Sequence, residues 1–193
     1  MKHLELSAFG KPWEVCKIVK GNDLKKPGPG EVKLEINAAP INPAELLLME
    51  GKYATKPNLP VKLGIEGIGT IIEIGEEVEN FNIGDRVVSM GRTNWAEQIQ
   101  VSAHTLIPVS QDADMNQLSM LKVNPATAMF MLELFVDLNP GDWVIQNASN
   151  SAVGRYLIQT ARANGIHTIN VVRRSDVNHD LMNIGADLVI VDG

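Results

Sequence analysis

Cysteine is almost absent from this chain. Cys16 is the only one in 193 residues, so an internal disulfide framework is excluded and a reducing compartment is expected. Positive charge is short as well: the formal net charge of -6 would repel nucleic-acid phosphates, and a nucleic-acid partner is excluded. No apolar run approaches a membrane span. The first residues, Met1-Lys2-His3-Leu4-Glu5, lack the apolar segment of a signal peptide. A soluble, cytoplasmic protein with no membrane partner is the expectation. Internal repeats and low-complexity segments are missing too. His3, His104, His167 and His179 are scattered without ligand spacing, so no metal site is expected. What remains is 45% hydrophobic and 21% charged, enough for a sizeable core in one large domain or two small ones.

The most informative stretch runs from Gly141 to Arg174. Trp143-Val144-Ile145 follows the turn Asn139-Pro140-Gly141-Asp142 and reads as a buried strand. The small-residue loop Asn147-Ala148-Ser149-Asn150-Ser151-Ala152 comes next. Val153, Leu157, Ile158 and Ala161 then share one helical face, closed by Asn164-Gly165. A second β-rich run, His167 to Val172, ends at Arg173-Arg174. Strand, tight loop, helix and strand form the unit that seats a phosphate at a helix N-terminus.

The loop departs from G-x-G-x-x-G. Ser149, Ser151 and Gly154 occupy the three glycine places, so only the third glycine, which lets helix and strand pack closely, survives. An acid at the end of the second strand would hold the ribose hydroxyl of NAD. Arg173 and Arg174 stand there instead, which favours the 2′-phosphate of NADP. The alternative is a solvated basic pair.

Before about Ser110 the pattern is β-rich. Met1 to Phe9 and Trp13 to Ile18 read as two strands turned at Gly10-Lys11-Pro12. Glu31 to Ala38 alternates strictly and predicts a half-buried strand. Asn42-Pro43-Ala44-Glu45 is a helix start, with an Asn cap, Pro at N1 and Glu at N3. That helix ends at Gly51, and Tyr53 follows. Thr70 to Ile74 and Arg86 to Ser89 are further strands between glycine turns, which suggests a small barrel or sandwich. Beyond Ser110 the period becomes helical, with Asp114 to Leu121 and then an Asn124-Pro125 cap before Ala126 to Phe135. The expected division is residues 1–122 and 123–193.

The order of Ile41-Asn42-Pro43, Glu50-Gly51-Lys52-Tyr53, Gly64-Ile65-Glu66-Gly67, Gly84-Asp85-Arg86-Val87 and Val123-Asn124-Pro125-Ala126-Thr127-Ala128 resembles the medium-chain dehydrogenase/reductase superfamily. Within it, Gln146 to Gly154 together with Ile169 to Arg173 resembles the zinc-independent 2-enoyl thioester reductases. The resemblance implies an α/β chain: a GroES-like β-barrel domain followed by a Rossmann doubly wound parallel sheet. It also implies NADPH as cofactor, reduction of the C=C bond of a trans-2-enoyl thioester of coenzyme A or acyl carrier protein, and a homodimer for the full-length form. A quinone oxidoreductase shares fold and cofactor and stays open as an alternative. Only the first half of a Rossmann sheet is encoded, so the expectation is an N-terminal fragment or truncated product. A non-catalytic nucleotide-binding module is therefore the third reading.

The resemblance also assigns residues. Tyr53 matches the tyrosine that donates a proton to the substrate, with an ordinary loop tyrosine as its alternative. Asn42 either positions substrate or caps the helix, and Trp95 either flanks the active site or packs in the core. Asn124 and Thr127 match the domain-linking helix that approaches the nicotinamide. Asn147, Ser149, Asn150, Ser151, Ala152, Val153 and Gly154, with Arg173 and Arg174, are the expected NADPH contacts. Zinc-dependent relatives place a cysteine where Asn42 stands and a histidine where Ile65 stands, so the resemblance too implies no metal.

Overall fold

The structure is a computed structural model and describes residues 1–192. The chain divides after Lys122 into two compact units.

The first unit holds β1 (Lys2–Leu6), α1 (Pro12–Val15), β2 (Cys16–Lys20), β3 (Glu31–Ala38), α2 (Pro43–Met49), β4 (Val61–Lys62), β5 (Gly67–Ile74), β6 (Arg86–Ser89), β7 (Gln98–Ser102), β8 (Leu106–Pro108) and α3 (Met115–Leu118). Two antiparallel sheets result, one in the order β2-β1-β4 and one of five strands, β7-β3-β5-β6-β8. Val32, Leu34, Ile71, Val87, Ile99 and Leu106 form the main core. Lys33 faces the other way, yet it too is buried, paired with Glu73 at 2.5 Å. A smaller core of Leu6, Met49 and Leu63 seats α2 against β1.

Two sequence expectations need correction here. Trp13 to Val15 is a helical turn, because Pro12 starts it and the Glu14 N–H returns to the Lys11 carbonyl at 2.9 Å. The second strand therefore begins only at Cys16. The helix expected over Asp114 to Leu121 is one turn, capped by the Asp114 carboxylate on the Gln117 N–H at 2.9 Å.

The second unit, from Val123 onward, holds α4 (Asn124–Glu133), β9 (Trp143–Gln146), α5 (Ala152–Ala163), β10 (His167–Val172), α6 (Asn178–Asn183) and β11 (Leu188–Val191). The three strands are parallel in the order β11-β10-β9. Asn124 is not the cap of α4: the turn before it is already helical at Val123, and Asn124 lies buried as the first helical residue. Helix α5 covers one face of the sheet, where Leu157, Ala161 and Ile166 meet Ala128 and Leu132 of α4. Ile158 meets Val172, Leu181 and Ala186. The strand read as buried, Trp143 to Ile145, is open on the other face: Trp143 is 51% and Ile145 70% exposed. Alternate residues of a strand face opposite ways, and α5 packs on only one of them.

Candidate functional site

The βα loop between β9 and α5 is held from both sides. Ser151 caps α5, its hydroxyl accepting the Gly154 N–H at 3.1 Å, which anchors the first turn and leaves the earlier N–H groups for a ligand. Ala148 has φ +49°, a left-handed conformation a non-glycine residue holds only when its surroundings demand it. Ser149 is fully buried, and its hydroxyl lies 3.1 Å from the Gln146 carbonyl and 3.2 Å from that of Val171. It ties the loop to both strands rather than pointing outward. A Cβ on Gly154 would sit 2.6 Å from the Ser149 carbonyl oxygen, so helix and loop touch through the missing side chain.

A cavity of about 600 Å³ opens beside this loop, lined by Asn147, Ala148, Ser151, Val153 and Gly154 together with Ile145 and Met131. A neighbouring pocket of about 410 Å³ is lined by Asn150, Arg173, Arg174 and Val177. Ala152 opens the helix between them. The lining suits an anionic ligand: the start of α5 borders the larger space, and Arg173 and Arg174 border the smaller. Arg174 also lies 3.4 Å from Asp176, both well exposed. Thr127 returns its hydroxyl to the Val123 carbonyl at 2.7 Å, which leaves it bound within its own helix.

In the first unit, the residues expected to act on substrate gather around α2. Asn42 precedes the helix and Tyr53 follows it, its N–H on the Leu47 carbonyl at 3.1 Å and the residue 38% exposed. Trp95 is fixed to the same segment by its indole N–H on the Pro40 carbonyl at 3.1 Å, and it also packs on the Leu6, Met49 and Leu63 core. Gly64 lets these chains approach, since a Cβ there would meet the Trp95 nitrogen at 2.3 Å.

Around Asn42 lies a buried polar cluster that pattern reading missed. The Glu45 carboxylate accepts the backbone N–H groups of Asn42 at 3.0 Å and Ile65 at 2.9 Å. The Asn42 side-chain amide donates to Glu66 at 2.9 Å. Glu66 also accepts the Lys122 backbone N–H at 3.1 Å. The Lys122 ammonium donates to the carbonyls of Ile65 (2.5 Å), Met90 (2.8 Å) and Gly91 (3.1 Å). Burial pushes the Glu45 carboxyl above its usual range and the Glu66 charge adds to this, against the two N–H bonds it accepts. Burial also lowers the Lys122 ammonium, helped by Arg92 and opposed by Glu66 and Glu45. The Asn42–Glu45 contact is the helix start the sequence shows, while the links to Glu66 and Lys122 carry no local sequence signal. Among the described residues no group of three or more His, Cys, Asp or Glu is placed to hold a metal ion.

Known proteins resemble this chain in sequence and in fold. Residues 28–111 match the alcohol dehydrogenase GroES-like domain. The mitochondrial enoyl-[acyl-carrier-protein] reductase of Xenopus tropicalis is 40% identical over 95% of this chain and 54% of its own length. Over nearly its whole length the chain is similar to enoyl-[acyl-carrier-protein] reductases, and in fold to enoyl thioester reductase structures. Its fold is the GroES-like β domain followed by the first Rossmann half. The solved complex of Etr1p with NADP and crotonyl-CoA superposes with a TM-score of 0.86 at 27% identity, over 98% of this chain and 60% of that one. A structure described as a putative NADPH:quinone reductase from Bacillus thuringiensis superposes at 0.88 with 28% identity, over 98% and 57%. The chain thus spans about half the length of the curated relatives it matches. No helix among the described residues is long and apolar enough to cross a membrane.

Proposed function

We propose that this chain supplies the β domain and the dinucleotide-binding half-sheet of an NADPH-dependent reductase of trans-2-enoyl thioesters, acting without zinc. The observation that carries the cofactor part is the pairing of Arg173 and Arg174 with Asn150 in one pocket beside the helix-capped loop. The thioester part rests on the 40% identity to a named enoyl-[acyl-carrier-protein] reductase. NADPH, when bound, supplies the hydride for the β-carbon. The chain's own residues do the rest. N–H groups at the start of α5 hold the pyrophosphate, and Arg173 and Arg174 hold the 2′-phosphate. Tyr53 donates the proton to the α-carbon, directly or through a water. Asn42 acts at one remove, since its amide is taken by Glu66; it fixes the start of the helix that Tyr53 follows. Trp95 fixes the chain just before it. A soluble homodimer in a reducing compartment completes the proposal.

Calorimetric titration with NADPH and NADH tests the cofactor. NADPH should bind about a hundredfold tighter, and replacing both arginines by alanine should remove most of the difference. Equal binding of the two by the unmutated protein would overturn it. A quinone acceptor is the second reading, favoured by the likeness to the Bacillus thuringiensis structure. Turnover of crotonyl-CoA beside a quinone by the full-length form decides between them.

A further inference from the structure

Strand β10 carries an asparagine where its apolar run would take another β-branched residue. Asn170 is fully buried beneath α5, between β9 and β11. A buried amide is costly unless its hydrogen bonds are made, and here they are. Its Nδ2 donates to the Thr168 hydroxyl at 2.9 Å and to the Leu188 carbonyl at 3.1 Å, with the Thr168 carbonyl at 3.3 Å. Its Oδ1 accepts from the side-chain amide of Gln146 at 2.8 Å. Gln146 stands directly opposite it in the register of β9 and β10. The same Gln146 Nε2 donates to the carbonyl of Gly154 at 3.0 Å. Gly154 lies in the first turn of α5, against Ser149 of the loop. The relay is continuous: β11 and β10 orient Asn170, Asn170 orients Gln146, and Gln146 holds the helix start.

We infer that Asn170 and Gln146 are positioning residues for the dinucleotide, setting the N-terminal turn of α5 where its N–H groups meet the pyrophosphate. An apolar residue at 170 would fill the same space but leave the Gln146 amide without its acceptor, free to release Gly154. The N–H groups would lose their fixed aim, while Arg173 and Arg174, just past the end of β10 and outside the relay, would keep theirs. The inference rests on the NADPH reading above. It adds that affinity depends on two side chains that need not touch the cofactor's 2′-phosphate.

The test is a titration of the chain with NADPH and with adenosine 2′-monophosphate, which has the 2′-phosphate but no pyrophosphate. Asn170→Val and Gln146→Met should each weaken NADPH about tenfold, while adenosine 2′-monophosphate stays within about twofold of the parent. The double variant should be no weaker than either single one, since both break one relay. Gln146→Met leaves the Asn170 donor bonds to Thr168 and Leu188 in place and carries the test if Asn170→Val fails to fold. NADPH binding unchanged in Gln146→Met, an equal loss for both ligands, or additive losses in the double variant would each overturn the inference. A parent chain that binds no NADPH would overturn the cofactor reading itself, a result visible before any variant is made.

Discussion

Asn42→Asp separates two roles that one asparagine could fill. As a plain helix cap, aspartate is about as good as asparagine, and its charge suits a helix N-terminus. A residue that only caps α2 would therefore tolerate the change. The structure gives Asn42 a second task, donating its amide to Glu66 at 2.9 Å, with Asn42 5% and Glu66 0% exposed. In the variant, that donor becomes a carboxylate oxygen facing another carboxylate. If both stayed charged and relaxed to about 4 Å, they would repel by about 4 kcal/mol at an effective dielectric near 20. If one took up a proton instead, the cost at pH 7 from an ordinary glutamate would be about 3.7 kcal/mol. Either route predicts a loss of about 3–4 kcal/mol in the β domain.

The pH dependence carries the signature. A shared proton means a folded-state pKa above the unfolded one, so the folded state binds more protons and stability rises as pH falls. The penalty should shrink by up to about 1.4 kcal/mol per pH unit between pH 7 and about pH 5. Glu45 is itself raised by burial, so parent and variant must be compared at each pH. Urea unfolding followed by tryptophan fluorescence supplies both numbers. Asn42→Ser, which keeps a cap but adds no charge, should lose only about 1–2 kcal/mol with no such slope. An Asn42→Asp chain within about 0.5 kcal/mol of the parent at pH 7 would refute the reasoning and leave Asn42 a simple cap.

Three further outcomes are expected. Tyr53→Phe in the full-length form should lower kcat with an enoyl thioester by about a hundred- to ten-thousandfold while NADPH affinity and thermal midpoint hardly change; turnover within a few-fold of the parent removes Tyr53 from the chemistry. Gly154→Ala forces a Cβ to 2.6 Å from the Ser149 carbonyl oxygen, so it should cost about 1–3 kcal/mol in thermal unfolding and weaken NADPH in titration; a neutral result in both means the loop has slack that its geometry does not show. The His167 side chain, then the Thr168 N–H, holds the Asp187 carboxyl below its ordinary range. A depressed carboxyl stabilises above its unfolded pKa and loses that stability as pH falls through the folded one. Asp187→Asn should therefore cost about 0.5 kcal/mol near neutrality and nothing at strongly acid pH, a gap that salt reduces; denaturant midpoints across that range check it.

Local chemistry made the sequence-legible elements legible. The Asn42-Pro43-Ala44-Glu45 start became α2 because cap, proline and N3 glutamate act within four residues. The alternation of Glu31 to Ala38 became β3 with those bounds, and the apolar face of α5 emerged from its own period. Strands β4 and β8 carry no comparable signal. They are two and three residues long and exist because β1 and β6 offer them pairing partners. Trp13 to Val15 misled for the same reason in reverse: its composition suits a strand, while the backbone bonds around Pro12, from Glu14 and Val15 to Lys11 and from Cys16 to Pro12, make it a turn of helix. The exposed face of β9 was illegible because what covers a strand is decided by other elements.

The candidate site divides along the same line. Arg173, Arg174 and the loop from Asn147 to Gly154 are close in sequence or sit at corresponding strand ends, so a βαβ pattern brings them near one another. The polar contacts that brace each unit are different. Asn42 reaches Glu66 across 24 positions, Gln146 reaches Asn170 across 24, and Lys122 reaches Ile65 across 57. In each unit the bridge uses a side-chain amide, a group that donates and accepts at once. In Asn42 the donor is matched to a carboxylate; in Asn170 both halves are used between strands. That makes these positions stricter than a cap or a core site, because a carboxylate supplies no donor and an aliphatic side chain supplies neither. Asn42→Asp and Asn170→Val thus probe one principle from its two sides, one by adding charge where a donor was needed and the other by removing the acceptor that Gln146 requires.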